Sequence, residues 1–201
     1  MMDLLDYRRQ VVEAYTLLRQ RSGDNNDHDD WRAVRDGLMG NHPQSALDDK
    51  QKSRFGGLHY YDYDPDYRVL ADVDTNIDAQ EFTAMLAEDG AVTYKRIGKV
   101  TFAVPSGIGT LSVFWILGYG GGLFLPFRDS TNSETTYGGG RYLYDTIKGA
   151  DLGSSRGRLV LDFNYAYNPS CAYNSRWVCP LSPPENRLDF SIPVGEFAFT
   201  E

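Results

Sequence analysis

The feature that most constrains this chain is a change in its hydrophobic period near Phe55. From there on, apolar and polar residues alternate one by one, as they do along a β-strand with one buried face. Six segments show this alternation: 67–73, 81–86, 99–104, 110–117, 158–165 and 188–194. Turn signals such as Ser106-Gly107 separate them, and the whole pattern predicts about nine short strands. We expect a mainly β fold, either an antiparallel β-barrel or a barrel-like sandwich with N-terminal helices.

The N-terminal residues follow a helical period instead. Residues 3–21 predict a helix with one apolar stripe, formed by Leu4, Leu5, Val11, Val12, Tyr15 and Leu18. The polar run 22–30 predicts a loop, and a second, short helix is predicted from Asp30 to Met39. We therefore expect a single domain of residues 1–201, in which a helical extension (1–40) is attached to a β-rich core (55–201).

The charge of the chain disfavours one class of partner. It carries 28 acidic against 20 basic residues, for a net charge of −8. An acidic surface repels phosphate backbones, so we expect no nucleic-acid partner. Aspartate outnumbers glutamate and there are only five lysines. Because short, strongly hydrated carboxylates suit concentrated salt, we interpret the composition as that of a halophilic protein, with ordinary drift in an acidic protein as the alternative.

Two observations bear on localisation. The N-terminus lacks a basic start followed by an apolar run, so we expect no signal peptide. Four glycines interrupt the apolar stretch 108–127, so we expect no transmembrane helix and no membrane partner. The sequence thus predicts a soluble, cytoplasmic protein in which Cys171 and Cys179 stay reduced.

The segment 126–142 is the first candidate site. It combines the carboxylates of Asp129 and Glu134 with the guanidinium groups of Arg128 and Arg141, and a triple glycine precedes Arg141. Glycines permit close approach of exposed N–H groups to an anion, and paired arginines suit a carboxylate or phosphate. The alternative is a glycine-containing hairpin with surface ion pairs. The segment matches neither a Walker loop nor a dinucleotide-binding fingerprint.

Asp162 and Asn164 form the second candidate, because strand alternation places them on one face opposite Leu159, Leu161 and Phe163. In a barrel this face would line the lumen, where a buried aspartate needs a cation such as Arg128 or Arg141. In a sandwich the same face would meet water.

The third candidate is the arm, residues 167–187, which lacks regular periodicity. Four prolines stiffen it, so we expect an ordered segment lying on the strands. Cys171 and Cys179 supply two ligands where zinc needs four, and the three histidines lie far upstream. We therefore predict no metal site, no nucleophilic cysteine and no cofactor. Two packed thiols are the simplest interpretation.

Three stretches resemble the family catalogued as domain of unknown function 1684. They are Phe-Gly-Gly-Leu-His-Tyr-Tyr at 55–61, the segment 126–142, and 161–188 with its Asn-Pro-Ser-Cys-Ala-Tyr and Cys-Pro-Leu-Ser-Pro-Pro-Glu-Asn-Arg motifs. Tyr165 and Ser170 depart from the family pattern. The resemblance implies no activity. It implies only that eight residues occupy motif positions: Arg128, Asp129, Glu134, Arg141, Asp162, Asn164, Cys171 and Asn186.

Taken together, these observations predict a polar pocket built from the segment 126–142, the Asp162/Asn164 face and the arm. It would bind a small polar or anionic molecule. The candidate ligand-binding residues are Arg128, Asp129, Glu134, Tyr137, Arg141, Asp162 and Asn164. One alternative is an enzyme that uses Asp/Glu acid–base chemistry. Another is a structural β domain in which a buried polar network only stabilises the fold.

Overall fold

The computed structural model describes residues 1–21, 24–86 and 90–200. Three helices come first: α1 (Met2–Gln20), α2 (Asn25–Asn41) and the single-turn α3 (Asp49–Lys52). The strands that follow are β1 (Arg68–Ala71), β2 (Val73–Asp74), β3 (Glu81–Leu86), β4 (Gly90–Val104), β5 (Gly107–Ile116), β6 (Gly122–Phe127), β7 (Arg141–Asp145), β8 (Ser154–Ser155) and β9 (Arg158–Asp162). The mainly β fold with N-terminal helices is confirmed.

The strands form two antiparallel sheets. In the larger sheet β2 and β3 pair with one edge of β4, and β5 pairs with its other edge. β6 then pairs with β5, and β7 pairs with β6. The smaller sheet has the order β1-β9-β8. The ring of Phe163 lies 5.0 Å from that of Phe102 on β4 and 5.3 Å from that of Phe127 on β6, so both sheets contribute to one core. Within the described residues the strands do not close into a barrel.

The two long helices pack on this core. The predicted helix 3–21 is confirmed as α1, but its apolar stripe is only partly buried. Tyr15, Val11 and Leu18 contact the core, whereas Leu4, Leu5 and Val12 are exposed. The loop predicted for 22–30 is wrong from Asn25 onward, and residues 22 and 23 lie outside the described residues.

The second helix begins earlier than predicted because of a capping box. Asp24 accepts a hydrogen bond from the backbone N–H of Asp27, and the Asp27 carboxylate accepts one from the backbone N–H of Asp24. This reciprocal pair stabilises a helix start within a stretch that otherwise has the composition of a loop. The helix buries His28 and Trp31, whose rings contact Tyr60 in the segment before β1 and Tyr165 in the turn after β9.

Two of the alternating segments do not form the predicted strands. Residues 188–194 alternate in burial but contain no strand, because their backbone bonds partly to the loop after β6 and Pro193 lacks an N–H. The other segment, 158–165, stops being a strand at Asp162, where a 3-10 turn (Phe163–Tyr165) begins. Asp162, Phe163 and Asn164 are all buried, so the predicted division into a polar and an apolar face is wrong there.

Candidate functional site

Asp129 and Arg141 meet where β6 ends and β7 begins. Phe127 is paired with Arg141 in the sheet, and Asp129 follows two residues later. The Nη2 of Arg141 lies 3.1 Å from the Oδ2 of Asp129, and both side chains are fully buried. Gly140, with φ +91°, permits the close approach, since an added Cβ would lie 2.5 Å from the carbonyl oxygen of Phe127.

The groups around this ion pair are already hydrogen-bonded. Arg141 donates to the carbonyl oxygens of Ile192, at 2.9 Å, and Val194. Asp129 accepts from the N–H of Ile192 at 2.6 Å and from the hydroxyl of Thr131 at 2.7 Å. The ion pair therefore connects the irregular segment 188–194 to the end of the larger sheet through hydrogen bonds.

The other predicted residues of the segment 126–142 do not converge on this pair. Arg128 is half-buried, and its Nε donates to the carbonyl of Gly139 at 3.4 Å. Glu134 is exposed. Tyr137 lies half-buried with its hydroxyl 3.6 Å from the Sγ of Cys171. The structure thus brings together Asp129 and Arg141, and it places the remaining three elsewhere.

Asp162 and Asn164 form a second buried cluster. Asp162 accepts from the backbone N–H and the side-chain amide of Asn164, at 3.2 and 2.9 Å. Asn164 in turn bonds to both backbone groups of Asp64. The cation beside Asp162 is Arg68, whose Nε lies 3.4 Å away, and not Arg128 or Arg141 as predicted. Because Arg68 is partly exposed, burial dominates and raises the pKa of Asp162 to about 6.

This shift predicts a pH dependence of stability. Between the ordinary pKa of 3.8 and about 6, the unfolded chain loses the Asp162 proton while the folded protein retains it. The contribution of Asp162 is therefore most favourable below about pH 4 and is lost as pH rises through 6, a change of about 3 kcal/mol. Asp162→Asn should remove this slope in urea unfolding measured at several pH values. An unchanged slope would show that Asp162 ionises normally.

A third buried polar cluster was missed in the sequence. Glu196 is buried, and its carboxylate accepts from Arg35 at 2.8 Å, from the Tyr173 hydroxyl at 2.5 Å, and from the backbone and side chain of Asn168, both at 3.1 Å. The Nε of Arg35 also donates to the Tyr60 hydroxyl at 3.0 Å. The available signal was weak: Arg35 lies one helical turn after Trp31, on the buried face of α2.

His28 also lies in the interior, although the histidines gave no signal in the sequence. Its Nε2 is 3.0 Å from the carbonyl oxygen of Asn164, and its ring stacks on Trp31. Burial lowers the pKa of His28 to about 4, so the imidazole is neutral at pH 7. Its role is therefore packing and hydrogen bonding between α2 and the turn after β9.

One cleft lies away from all of the predicted residues. It has a volume of about 320 Å³ and opens between α3, the loop 55–59 and the C-terminal segment. Its lining residues are Lys50, Gln51, Arg54, Phe55, Gly56, Gly57, His59, Phe199 and Thr200. Lys50, Arg54 and His59 are exposed, and no ion pair within residues 1–21, 24–86 and 90–200 involves them. The cleft thus combines three unpaired basic groups with two aromatic rings.

Two further findings concern metal binding and membrane crossing in the described part of the chain. Its residues include no group of three or more His, Cys, Asp or Glu side chains arranged to hold a metal ion. None of its helices has both the length and the apolar character that crossing a membrane requires.

Comparisons with known proteins extend these observations. The family model described as "Protein of unknown function (DUF1684)" matches residues 53–197. The chain is also similar to an uncharacterized protein of Haloarcula marismortui whose structure was solved by NMR in solution, with 32% identity and a TM-score of 0.60. That match covers 87% of this chain and 97% of the other. No curated protein matches the chain.

Proposed function

This chain belongs to the DUF1684 family of proteins of unknown function, and we propose that it binds a small anionic ligand in the cleft beside α3. The observation that carries the proposal is the set of basic side chains around the cleft, Lys50, Arg54 and His59, which have no acidic partner among the described residues. A ligand with a carboxylate or phosphate group would supply the missing negative charge.

The charge of the whole protein bears on which anions could approach this set. In a chain of net charge −8, many basic groups are engaged by carboxylates, as Arg21, Arg35 and Arg96 are. Lys50 and Arg54 place two positive charges at one cleft of an acidic chain. Small anions are attracted there, while a long polyanion meets the surrounding negative charge.

The cleft also limits the size and shape of its ligand. A volume of about 320 Å³ lies at the lower end of the range for small-molecule sites. Phe55 and Phe199 are half-buried and offer apolar surface at its wall. We therefore propose a ligand with one anionic group and a compact apolar or aromatic body.

The loop that forms one wall is part of the family resemblance. Phe55, Gly56, Gly57 and His59 come from the Phe-Gly-Gly-Leu-His motif, which lies inside the matched range 53–197. Gly57 has φ +117°, and an added Cβ there would lie 3.3 Å from the carboxylate of Asp36. The motif thus gives the wall of the cleft a backbone conformation that favours glycine and a close approach to Asp36, a role that its composition alone does not indicate.

We expect phenyl phosphate to bind more tightly than inorganic phosphate, because only the former reaches the aromatic wall. Arg54→Gln should weaken phenyl phosphate binding about tenfold in calorimetry, the effect of losing one charge-assisted hydrogen bond. Arg8→Gln is the matched control, since Arg8 is also exposed but lies on α1. Equal weakening by both variants, or no binding of either phosphate, would contradict the proposal.

For the buried clusters we propose the structural alternative. Asp129 is bonded to Arg141, Thr131 and Ile192, and Asp162 is bonded to Asn164, so their carboxylates have partners within the protein. An enzyme acting through these carboxylates stays a hypothesis. Adaptation to concentrated salt stays a prediction from composition, and a cytoplasmic location stays a prediction from the N-terminal sequence and the interrupted apolar stretch 108–127.

A further inference from the structure

Two half-exposed thiols lie in contact on the arm. The backbone N–H of Cys171 donates to the Sγ of Cys179 at 3.3 Å, which places the Cys179 sulfur beside Cys171. Both cysteines are free. Cysteines placed this closely can reach disulfide geometry by rotation of their side chains.

Neighbouring contacts make the two thiols chemically different. The hydroxyl of Tyr137 lies 3.6 Å from the Sγ of Cys171, and burial raises the pKa of this phenol to about 12, so it remains a proton donor. The interaction with Cys179, together with the hydrogen bond from Tyr137, lowers the pKa of Cys171. The interaction with Cys171, together with burial, raises the pKa of Cys179. Cys171 is therefore the more acidic of the two thiols and the one that more readily forms a thiolate.

The chain on either side of the pair is fixed. Before Cys171, Asn168 donates two hydrogen bonds to the buried carboxylate of Glu196. After Cys179, the carbonyl of Pro180 accepts from the hydroxyl of Tyr142 at 2.5 Å. Between them, the indole N–H of Trp177 donates to the carbonyl of Ala46 at 2.9 Å. These anchors hold the two sulfur atoms together, while both cysteines remain accessible to a small reagent.

We propose that Cys171 and Cys179 are a redox-active pair that a hydroperoxide oxidises to an intramolecular disulfide, with Cys171 attacking and Cys179 resolving. The Cys171 thiolate attacks the terminal peroxide oxygen, the O–O bond breaks, and the leaving alkoxide takes up a proton to become an alcohol. The Cys179 thiol then attacks the sulfenic sulfur, forming the S–S bond and releasing water. Two thiols are oxidised, one peroxide is reduced, and an external thiol reverses the change.

The test is mass spectrometry of the full chain after brief treatment with hydrogen peroxide. We expect a monomer that has lost two hydrogen atoms, with a disulfide peptide joining Cys171 to Cys179 and recovery on adding dithiothreitol. Cys179→Ser should stop at a sulfenic acid on Cys171, which dimedone traps. The matched variant Cys171→Ser should react about tenfold more slowly with peroxide, because it retains only the less acidic thiol. Circular dichroism of each variant verifies the fold.

Two results would overturn the proposal. One is peroxide treatment that yields only disulfide-linked dimers or sulfinic acid. Two thiols held side by side should form the intramolecular disulfide faster than either of these products. The other is equal reactivity of Cys171→Ser and Cys179→Ser. As a further measurement, Tyr137→Phe should slow alkylation of Cys171 by iodoacetamide and shift its pH profile upward, because one donor to the thiolate is lost.

Discussion

Arg141→Met is expected to lower the free energy of unfolding by about 3–5 kcal/mol, since it leaves the buried carboxylate of Asp129 without its cation. Both side chains are fully buried, and the Oδ2 of Asp129 would keep only the N–H of Ile192 as a donor. The substitution also removes the hydrogen bonds to the carbonyls of Ile192 and Val194. Urea unfolding followed by fluorescence measures the loss.

A double-mutant cycle separates the charge from the packing. Asp129→Leu alone should cost about as much, because it leaves a buried guanidinium unpaired, but the double variant should recover part of the loss. Arg128→Met is the control: this half-buried neighbour makes one long hydrogen bond, to Gly139, and should cost less than about 1 kcal/mol. Strictly additive losses in the cycle would show that the two residues act independently.

The sequence predicted best those strands that have one buried and one exposed face. β3 alternates residue by residue between exposed and partly buried positions, and its sequence shows the same two-residue alternation of polar and apolar residues. All five residues of β7 are buried, and β6 is nearly so. Strands buried on both faces carry no alternation, so β6 and β7 gave no periodic signal. The start of α2 was hidden for a different reason, because its capping residues are also loop formers.

For the candidate site, too, single residues could be predicted from the sequence but their partners could not. Charged residues in the segment 126–142 were recognisable, but their partners depend on sheet register, which pairs Phe127 with Arg141 and so brings Asp129 beside it. Sequence spacing cannot supply that register. The cleft beside α3 was missed because its walls come from three separate segments, of which only the loop 55–59 was noted in the sequence, and without a role. Glu196 was missed because a single glutamate near the C-terminus carries no pattern.

Glu196→Gln is the second change with a large expected effect, again about 3–5 kcal/mol of unfolding free energy. The carboxylate of Glu196 accepts from four donors in Arg35, Tyr173 and Asn168, and an amide nitrogen in place of one oxygen would face donors instead of accepting from them. Arg35 would also lose its counter-ion. Because these groups join α2 to the arm and the C-terminal segment, the substitution should loosen the packing of α2.

Thermal and urea unfolding of Glu196→Gln should be compared with those of Glu185→Gln. Glu185 pairs with Arg96 at 3.1 Å, but its side chain is 28% exposed, so its loss should cost less than about 1 kcal/mol. Tyr173→Phe, which removes one donor and keeps the charge pair, should fall between the two at about 1–2 kcal/mol. If Glu196→Gln is no more destabilising than Glu185→Gln, the buried cluster does not hold the helices, and apolar contacts of Tyr15 and Trp31 must do so instead.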